Sequence, residues 1–158
     1  MKIGIIGLGY VGLPLAISFS EKYSVTAFDT NSEKIFELKQ SYDRTNEIAK
    51  KDLKKLNRIK FTDKIINLNN SNIFIVAVPT PVDSQNKPDL SNLKKACKMV
   101  AKVMKKKSIV IFESTVYPGV TEEICAPILS QYSKLIFNKD FFCGYSPERI
   151  NPGDKVYN

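Results

Sequence analysis

Residues 2–12 read KIGIIGLGYVG, and the reading of this stretch decides the fold. The apolar residues Ile3, Ile5 and Ile6 predict a strand, which runs into three glycines spaced as Gly7, Gly9 and Gly12. Immediately afterwards Leu13, Ala16, Ile17 and Ser20 recur at helical spacing. A strand that turns through glycines into a helix is the phosphate-binding corner of a dinucleotide-binding βαβ unit. In that geometry Gly7 permits the tight turn and Gly9 lets backbone N–H groups approach a pyrophosphate. Gly12 lets the helix lie close on the strand. An acid, Asp29, closes the next predicted strand, 22 positions after Gly7. A carboxylate there can accept hydrogen bonds from both ribose hydroxyls and repels a 2′-phosphate, so NAD is favoured over NADP. Lys34, one turn into the following helix, is within reach of the adenosine side and softens that preference. The competing reading is a plain glycine turn with a capping aspartate and no ligand.

Working outward, short apolar runs alternate with amphipathic stretches. The pattern predicts strands over 2–6, 24–29, 59–62, 73–78, 108–112 and 140–145. It predicts helices over 11–20, 32–40 and 48–56, from 89 or 91 to 105, and from 119 or 121 to 129. The second of these takes Ser32 as N-cap and Ile35, Phe36 and Leu38 as its apolar positions. The fourth carries Leu93, Ala96, Cys97, Val100, Ala101 and Met104 as a buried stripe. Alternating strands and helices argue for a parallel sheet covered on both faces. The expected fold is α/β: a Rossmann-type, doubly wound, parallel six-stranded sheet in the order 3-2-1-4-5-6.

The chain has 158 residues, which suits one domain of the usual ~100–200 residues. It holds 24 basic and 16 acidic residues and no histidine, a formal net charge of +8. Residues 48–64 carry +5 and residues 94–107 carry +7, so the remainder carries −4. Only three of the basic residues are Arg, and aromatics are almost absent from both segments. Specific nucleic-acid recognition favours arginine forks and interleaved aromatics, so these segments read as solvated helix faces and no nucleic-acid partner is expected. No apolar run approaches the ~20 residues of a membrane span, and no signal peptide is evident, so a cytoplasmic protein without a membrane partner is expected. Three widely spaced Cys do not make a disulfide framework. Each reads as a small buried hydrophobe: Cys97 and Cys125 on apolar helix faces, Cys143 inside the last strand. No residues are assigned to a metal.

In open α/β sheets, ligands bind beyond the carboxyl ends of the strands. The fourth predicted strand ends in Pro79-Thr80-Pro81-Val82-Asp83, the fifth in Glu113-Ser114-Thr115, and the sixth in Tyr145-Ser146-Pro147-Glu148-Arg149-Ile150-Asn151. Taken singly, such prolines stop strands and such hydroxyls cap helices. Three such loops on the edge that carries the glycine fingerprint point to a site.

At this point the residues resemble a known family. GLGYVGLPLA (7–16), FDTN (28–31), VAVPTPVD (76–83), PDLSNL (88–93), ESTVYPGVTEE (113–123) and GYSPERINPGDK (144–155) are similar to the N-terminal domain of the UDP-glucose/GDP-mannose dehydrogenase family of nucleotide-sugar dehydrogenases. The ending SPERINPGDK resembles the branch that acts on UDP-N-acetylhexosamines, where UDP-glucose dehydrogenases carry an NPEFLREG-like sequence. The resemblance implies oxidation of the C6 hydroxymethyl group of a UDP-sugar to a carboxylate in two NAD-dependent steps, through a cysteine thioester that water releases. Pathways of surface polysaccharides, capsule or O-antigen, are the implied setting.

Carried over by motif, Tyr10, Val11, Asp29, Lys34, Pro79, Thr80 and Thr115 match cofactor-contacting positions beside Gly7, Gly9 and Gly12. Thr115 also resembles the threonine that helps position the catalytic water, and Glu148 the proposed acid–base group. Glu148, Arg149, Ile150 and Asn151 are expected to approach the sugar. Pro152 stands where some relatives carry a second glutamate, and Ser41 replaces a common family glycine in a helix-ending turn. The family nucleophile lies in a later segment, and none of the three Cys here fits it. The chain is therefore expected to be the NAD-binding domain of a longer enzyme, 1–158, inactive alone. The longer protein is expected to be a homodimer or larger. The alternatives are a UDP-glucose 6-dehydrogenase and a stand-alone dinucleotide-binding module. Hydroxyacid and 6-phosphogluconate dehydrogenases share GLGxxG but would not be expected to carry VPTPVD or SPERINPGDK.

Overall fold

The computed structural model describes residues 1–44, 48, 52–82 and 87–147. Among them, six parallel strands form one sheet: β1 (Lys2–Ile6), β2 (Ser24–Phe28), β3 (Ile59–Thr62), β4 (Ile73–Val76), β5 (Ser108–Phe112) and β6 (Phe141–Tyr145). Their order is β3-β2-β1-β4-β5-β6, the expected one, and it reverses beside β1. Register is fixed by alternation. Ile3 and Ile5 of β1 bury toward α1 (Gly12–Ser20) and α2 (Ser32–Lys39), together with Ile75 of β4. Ile6, Phe74 and Val76 bury on the other face, toward α3 (Ser91–Ala101) and α4 (Ala126–Ser133). A slip of one residue in β1 or β4 would exchange the two cores.

Several boundaries differ from the sequence expectation. The helix expected over 48–56 is a 3-10 segment, Leu53–Arg58, in which Leu56 is the buried anchor; residues 49–51 lie outside the described set. Lys55 there bridges Glu21 at 2.7 Å and Asp52 at 2.8 Å. A second 3-10 turn, Ile65–Leu68, carries the chain from β3 toward β4 and was not expected. The N-cap of α2 is Asn31, whose side chain accepts from the Lys34 N–H, and not Ser32. Phe36 is 65% exposed and takes no part in the α2 core, which Ile35 and Leu38 supply. Ser41 has φ 57° and follows the helix as a left-handed residue, with the Tyr42 N–H returning to the Glu37 carbonyl at 3.0 Å. That is the conformation in which glycine is usual, so its role is structural.

α3 stops at Ala101, short of 105, and a tighter turn buries both Val103 and Met104. The helix expected from 119 or 121 to 129 divides into a π-helical turn, Val120–Cys125, and then α4. Pro127 explains the division. A proline has no N–H for the carbonyl four residues back, and its ring crowds that carbonyl. The wider turn avoids the clash, with the Ala126 N–H bonding the Thr121 carbonyl.

The three thiols gather on the α3/α4 side. Cys97 and Cys125 are buried and Cys143 is half-buried. The hydrogen bond with Cys125, then burial, pushes the Cys97 thiol far up. Burial, then the charges of Cys125 and Glu122, pushes Cys143 up to about 12. Thiols held protonated are poor nucleophiles. On the opposite face, Ile109 of β5 and Phe142 of β6 are 38% and 43% exposed.

Two outcomes follow. In the native protein at pH 8, a thiol-specific disulfide reagent leaves Cys97 and Cys125 unmodified and reacts slowly with Cys143, while all three react at once in denaturant. Fast native labelling of Cys97 would contradict the burial. Gly12→Ala destabilises by at least the ~1–3 kcal/mol usual for overpacking, so thermal unfolding moves down by at least about 2–4 °C. An unchanged Tm would show that α1 can move off the strand.

Candidate dinucleotide site

The site begins where β1 ends. Gly7 has φ 92°, a left-handed conformation, and a Cβ on it would lie 2.6 Å from the Ala77 carbonyl oxygen. A Cβ on Gly12 would fall on the Gly7 carbonyl oxygen, so α1 starts in contact with the loop it closes. Gly9 is the opposite case: a Cβ there would have no heavy atom within 4 Å. Gly9 faces open space, which is where a ligand can come against the backbone. The first-turn amides of a helix lack intrahelical partners and favour an anion there.

Asp29 follows β2 and is tied to this loop. Its Oδ2 accepts the Leu8 N–H at 2.9 Å and its Oδ1 accepts the Asn31 N–H at 3.0 Å. Each carboxylate oxygen has a second lone pair, so Asp29 can brace the loop and still accept from hydroxyls. The Lys34 ammonium donates to the Leu8 carbonyl at 2.7 Å. Leu8 is thus held at both its N–H and its carbonyl, by a carboxylate and an ammonium from the α2 side. The reading of Asp29 as a bare structural cap and the reading as a ribose acceptor are both accommodated by this geometry.

β4 and β5 supply the other wall. The Thr80 hydroxyl donates to the Thr115 carbonyl at 2.7 Å, and the Ser114 hydroxyl donates to the Val78 carbonyl at 2.6 Å. These two bonds clip the loops after β4 and β5 together. Two cavities result. One, about 460 Å³, lies between Asp29 and Lys34 on one side and Asn92, Lys95 and Met99 of α3 on the other. The second, about 300 Å³, is lined by Tyr10, Val11, Thr80, Glu113, Ser114 and Thr115. Gly9, Ala77, Val78 and Pro79 line both, so the cavities meet over the glycine loop.

Of the residues singled out in the sequence, Gly7, Gly9, Asp29, Lys34 and Pro79 line the first cavity, and Gly9, Tyr10, Val11, Pro79, Thr80 and Thr115 line the second. Gly12 lines neither and acts by packing. Glu148, Arg149, Ile150 and Asn151 lie outside the described residues, as does Asp83. Sequence reasoning placed Ser114 in a loop at the site but gave it no role, since its clip needed the register of two loops, and it missed Asn92, Lys95 and Met99. Their spacing was visible, but a lysine-rich helix surface read as solvated throughout.

The shape suits a dinucleotide. Two joined chambers open at the carboxyl edge where strand order reverses, with a side-chain-free backbone at the waist. The residues present fit NAD on that ground: the space over Gly9 is what a pyrophosphate would fill.

Known proteins agree. The chain matches the UDP-glucose/GDP-mannose dehydrogenase family, NAD binding domain, over residues 1–158. It is 55% identical over 99% of its length to protein CapL of Staphylococcus aureus, of which it spans 37%. It is 54% identical, again over 99% of its length, to the UDP-N-acetyl-D-glucosamine 6-dehydrogenase of Pseudomonas aeruginosa, of which it also spans 37%. Among solved structures, the UDP-D-ManNAc dehydrogenase of Pyrococcus horikoshii superposes with a TM-score of 0.88 at 38% identity, covering 97% of this chain and 37% of that one. A ternary complex of GDP-mannose dehydrogenase from Pseudomonas aeruginosa gives 0.87 at 25% identity, covering 96% of this chain and 37% of that one. The chain therefore belongs to the UDP-glucose/GDP-mannose dehydrogenase family, of which residues 1–158 are the NAD-binding domain.

Proposed function

We propose that this domain serves a nucleotide-sugar 6-dehydrogenase that oxidises the C6 hydroxymethyl group of a UDP-N-acetylhexosamine to a uronate, in two NAD-dependent steps. The observation that carries the reading is the pair of chambers joined over Gly9, in a chain 54% identical to a UDP-N-acetyl-D-glucosamine 6-dehydrogenase. The chain spans only about a third of that relative, so the substrate-binding domains and the nucleophilic cysteine are assigned to a longer polypeptide. Two observations support this assignment. The three thiols here line neither cavity, and Ile109 and Phe142 leave an apolar strip that further chain would cover.

NAD supplies the hydride acceptor. The chain's own residues have the following parts in the proposal. The backbone at Gly9 and the first turn of α1 hold the pyrophosphate, where α1 leaves amides without partners. Asp29 accepts from the ribose hydroxyls beside the first cavity, and its charge disfavours a 2′-phosphate. Lys34 keeps Leu8 in place and offsets part of that charge. Val11, Thr80 and Thr115 line the second cavity, on the redox side. The Thr80 hydroxyl is spent on the Thr115 carbonyl, so Thr80 positions the loop, while the Thr115 hydroxyl is the group offered to a water at the reacting carbon. Glu148 takes the acid–base role, and Arg149, Ile150 and Asn151 approach the sugar. The setting proposed is cytoplasmic synthesis of surface polysaccharide precursors, by a homodimer or larger assembly. Among the described residues, no helix is long and apolar enough to cross a membrane.

Calorimetry tests the cofactor half. NAD binds more tightly than NADP, and Asp29→Ala narrows that ratio by about tenfold or more, since each 1.4 kcal/mol of relieved repulsion is a factor of ten. Equal wild-type affinity for the two would remove the role given to Asp29. For the chemistry, these 158 residues release no NADH from UDP-N-acetylglucosamine or UDP-N-acetylgalactosamine. Steady turnover by this chain alone would overturn the assignment of the nucleophile elsewhere.

A further inference from the structure

The first cavity has a wall supplied by α3. Asn92, Lys95 and Met99 project from successive turns of α3, at i, i+3 and i+7, across the chamber from Asp29 and Lys34. They border the buried stripe of α3: Leu93, Ala96, Cys97 and Val100 are buried, Asn92 and Lys95 lie outside the stripe, and Met99 is partly buried at its margin.

The polar atoms on this wall are oriented. The Asn92 Nδ2 donates to the Pro79 carbonyl at 3.2 Å, which fixes the direction of the amide. Its Oδ1 accepts from no donor among the described residues. The Lys95 ammonium makes no ion pair or hydrogen bond among them either; the Asp89 carboxyl, lowered first by its hydrogen bonds with Ser91, feels its charge only as a smaller contribution. The wall therefore presents a fixed acceptor one helical turn from a cationic donor, with the Met99 thioether beside them. The floor between is apolar, formed by Ile6, Ala77 and Val78.

The edge of adenine carries the complementary pair, a 6-amino donor next to a ring-nitrogen acceptor. A 6-oxopurine reverses both, with an oxygen acceptor next to a protonated ring nitrogen. We propose that Asn92 and Lys95 read the base of the dinucleotide: the Asn92 Oδ1 accepts from the 6-amino group, and the Lys95 ammonium donates to the adjacent ring nitrogen N1. Met99 and the floor take the flat faces of the ring. The inference rests on the placement of NAD above and adds to it the residues that select the base. It also makes α3 part of the site: one face closes the core, and its edge faces the cofactor.

The test is calorimetric titration of this chain with NAD, with nicotinamide hypoxanthine dinucleotide and with NADP. Wild type binds NAD about ten- to a hundredfold tighter than the hypoxanthine analogue, because the mismatch leaves two polar pairs unmade at ~1 kcal/mol or more each. Asn92→Ala collapses that ratio. Asn92→Asp separates base reading from loop support. It cannot donate to Pro79 but keeps an acceptor, so it retains discrimination if Asn92 reads the base. Equal losses for both dinucleotides in Asn92→Ala and Asn92→Asp would reduce Asn92 to a loop brace and overturn the proposal. Lys95→Ala, at an exposed side chain with no ion pair among the described residues, weakens NAD and NADP in equal proportion. Selective loss of NADP would instead make Lys95 a phosphate ligand and overturn its part. Equal wild-type affinity for NAD and its hypoxanthine analogue overturns the base assignment alone. Absence of NAD binding overturns the placement of the dinucleotide and this inference with it.

Discussion

No side chain fits between Gly12 and the carbonyl oxygen of Gly7, and the whole carboxyl edge of the sheet is organised around that contact. Because α1 can start against the loop, the loop is short, and its turn requires the left-handed φ of Gly7. The closeness of α1 leaves Gly9 facing outward with empty space beyond it. Leu8, between the two glycines, is pinned at its N–H by Asp29 and at its carbonyl by Lys34. A charge-assisted bond of the Asp29 kind contributes about 1.5–3 kcal/mol, toward the lower end where it is only part-buried. The waist of the site is therefore rigid before any ligand arrives, and pre-organisation of this kind lowers the entropic cost of binding.

The other side of the crevice is held by hydroxyls in place of charges. Thr80 and Ser114 each donate to a carbonyl across the gap between the β4 and β5 loops, and Asn92 donates to Pro79 from α3. The β5 loop and α3 thus converge on one proline-rich loop, in which proline has already removed backbone freedom and donors. The result is a stiff ridge facing the glycine loop, with one chamber on each side of it. Chemistry is divided in the same way. The chamber next to Asp29 has both lysines and the base-facing groups, and the chamber next to Thr115 has hydroxyls, the Glu113 carboxylate and the Tyr10 and Val11 surface.

How much of this was legible in the sequence depended on how local each feature is. β1, β3 and β5 were delimited to the residue, because apolar runs bounded by glycine or charge leave little choice. Strand order followed from handed crossovers and the glycine turn. Failures came where a neighbour in space, unseen in the string, decides the outcome. Phe36 has the right spacing for the α2 core, yet Ile35 and Leu38 already fill the space against the sheet, and Phe36 is left outside. Ser32 looks like a cap, but Asn31 reaches the Lys34 N–H first. The π turn before Pro127 is a local rule that was overlooked. In the site, the glycines, Asp29 and Thr80 were readable because their residue types are demanded by backbone or charge. Lys95 was not: seven lysines in fourteen residues suggest a uniform solvated surface, and only the packing of α3 shows that one of them borders a cavity while Lys106 pairs with Asp140.

The account stands or falls on whether the dinucleotide spans the two chambers across Gly9. Amide NMR of the isotopically labelled chain, titrated with NAD, reads this directly. The account predicts that the largest shifts fall on Leu8 to Val11, on Asp29 and Asn31, and on Thr80 and Thr115, with smaller ones along the Asn92 to Met99 edge of α3. Shifts confined to the exposed lysines of α3, with the Leu8 to Val11 amides unmoved, would contradict it.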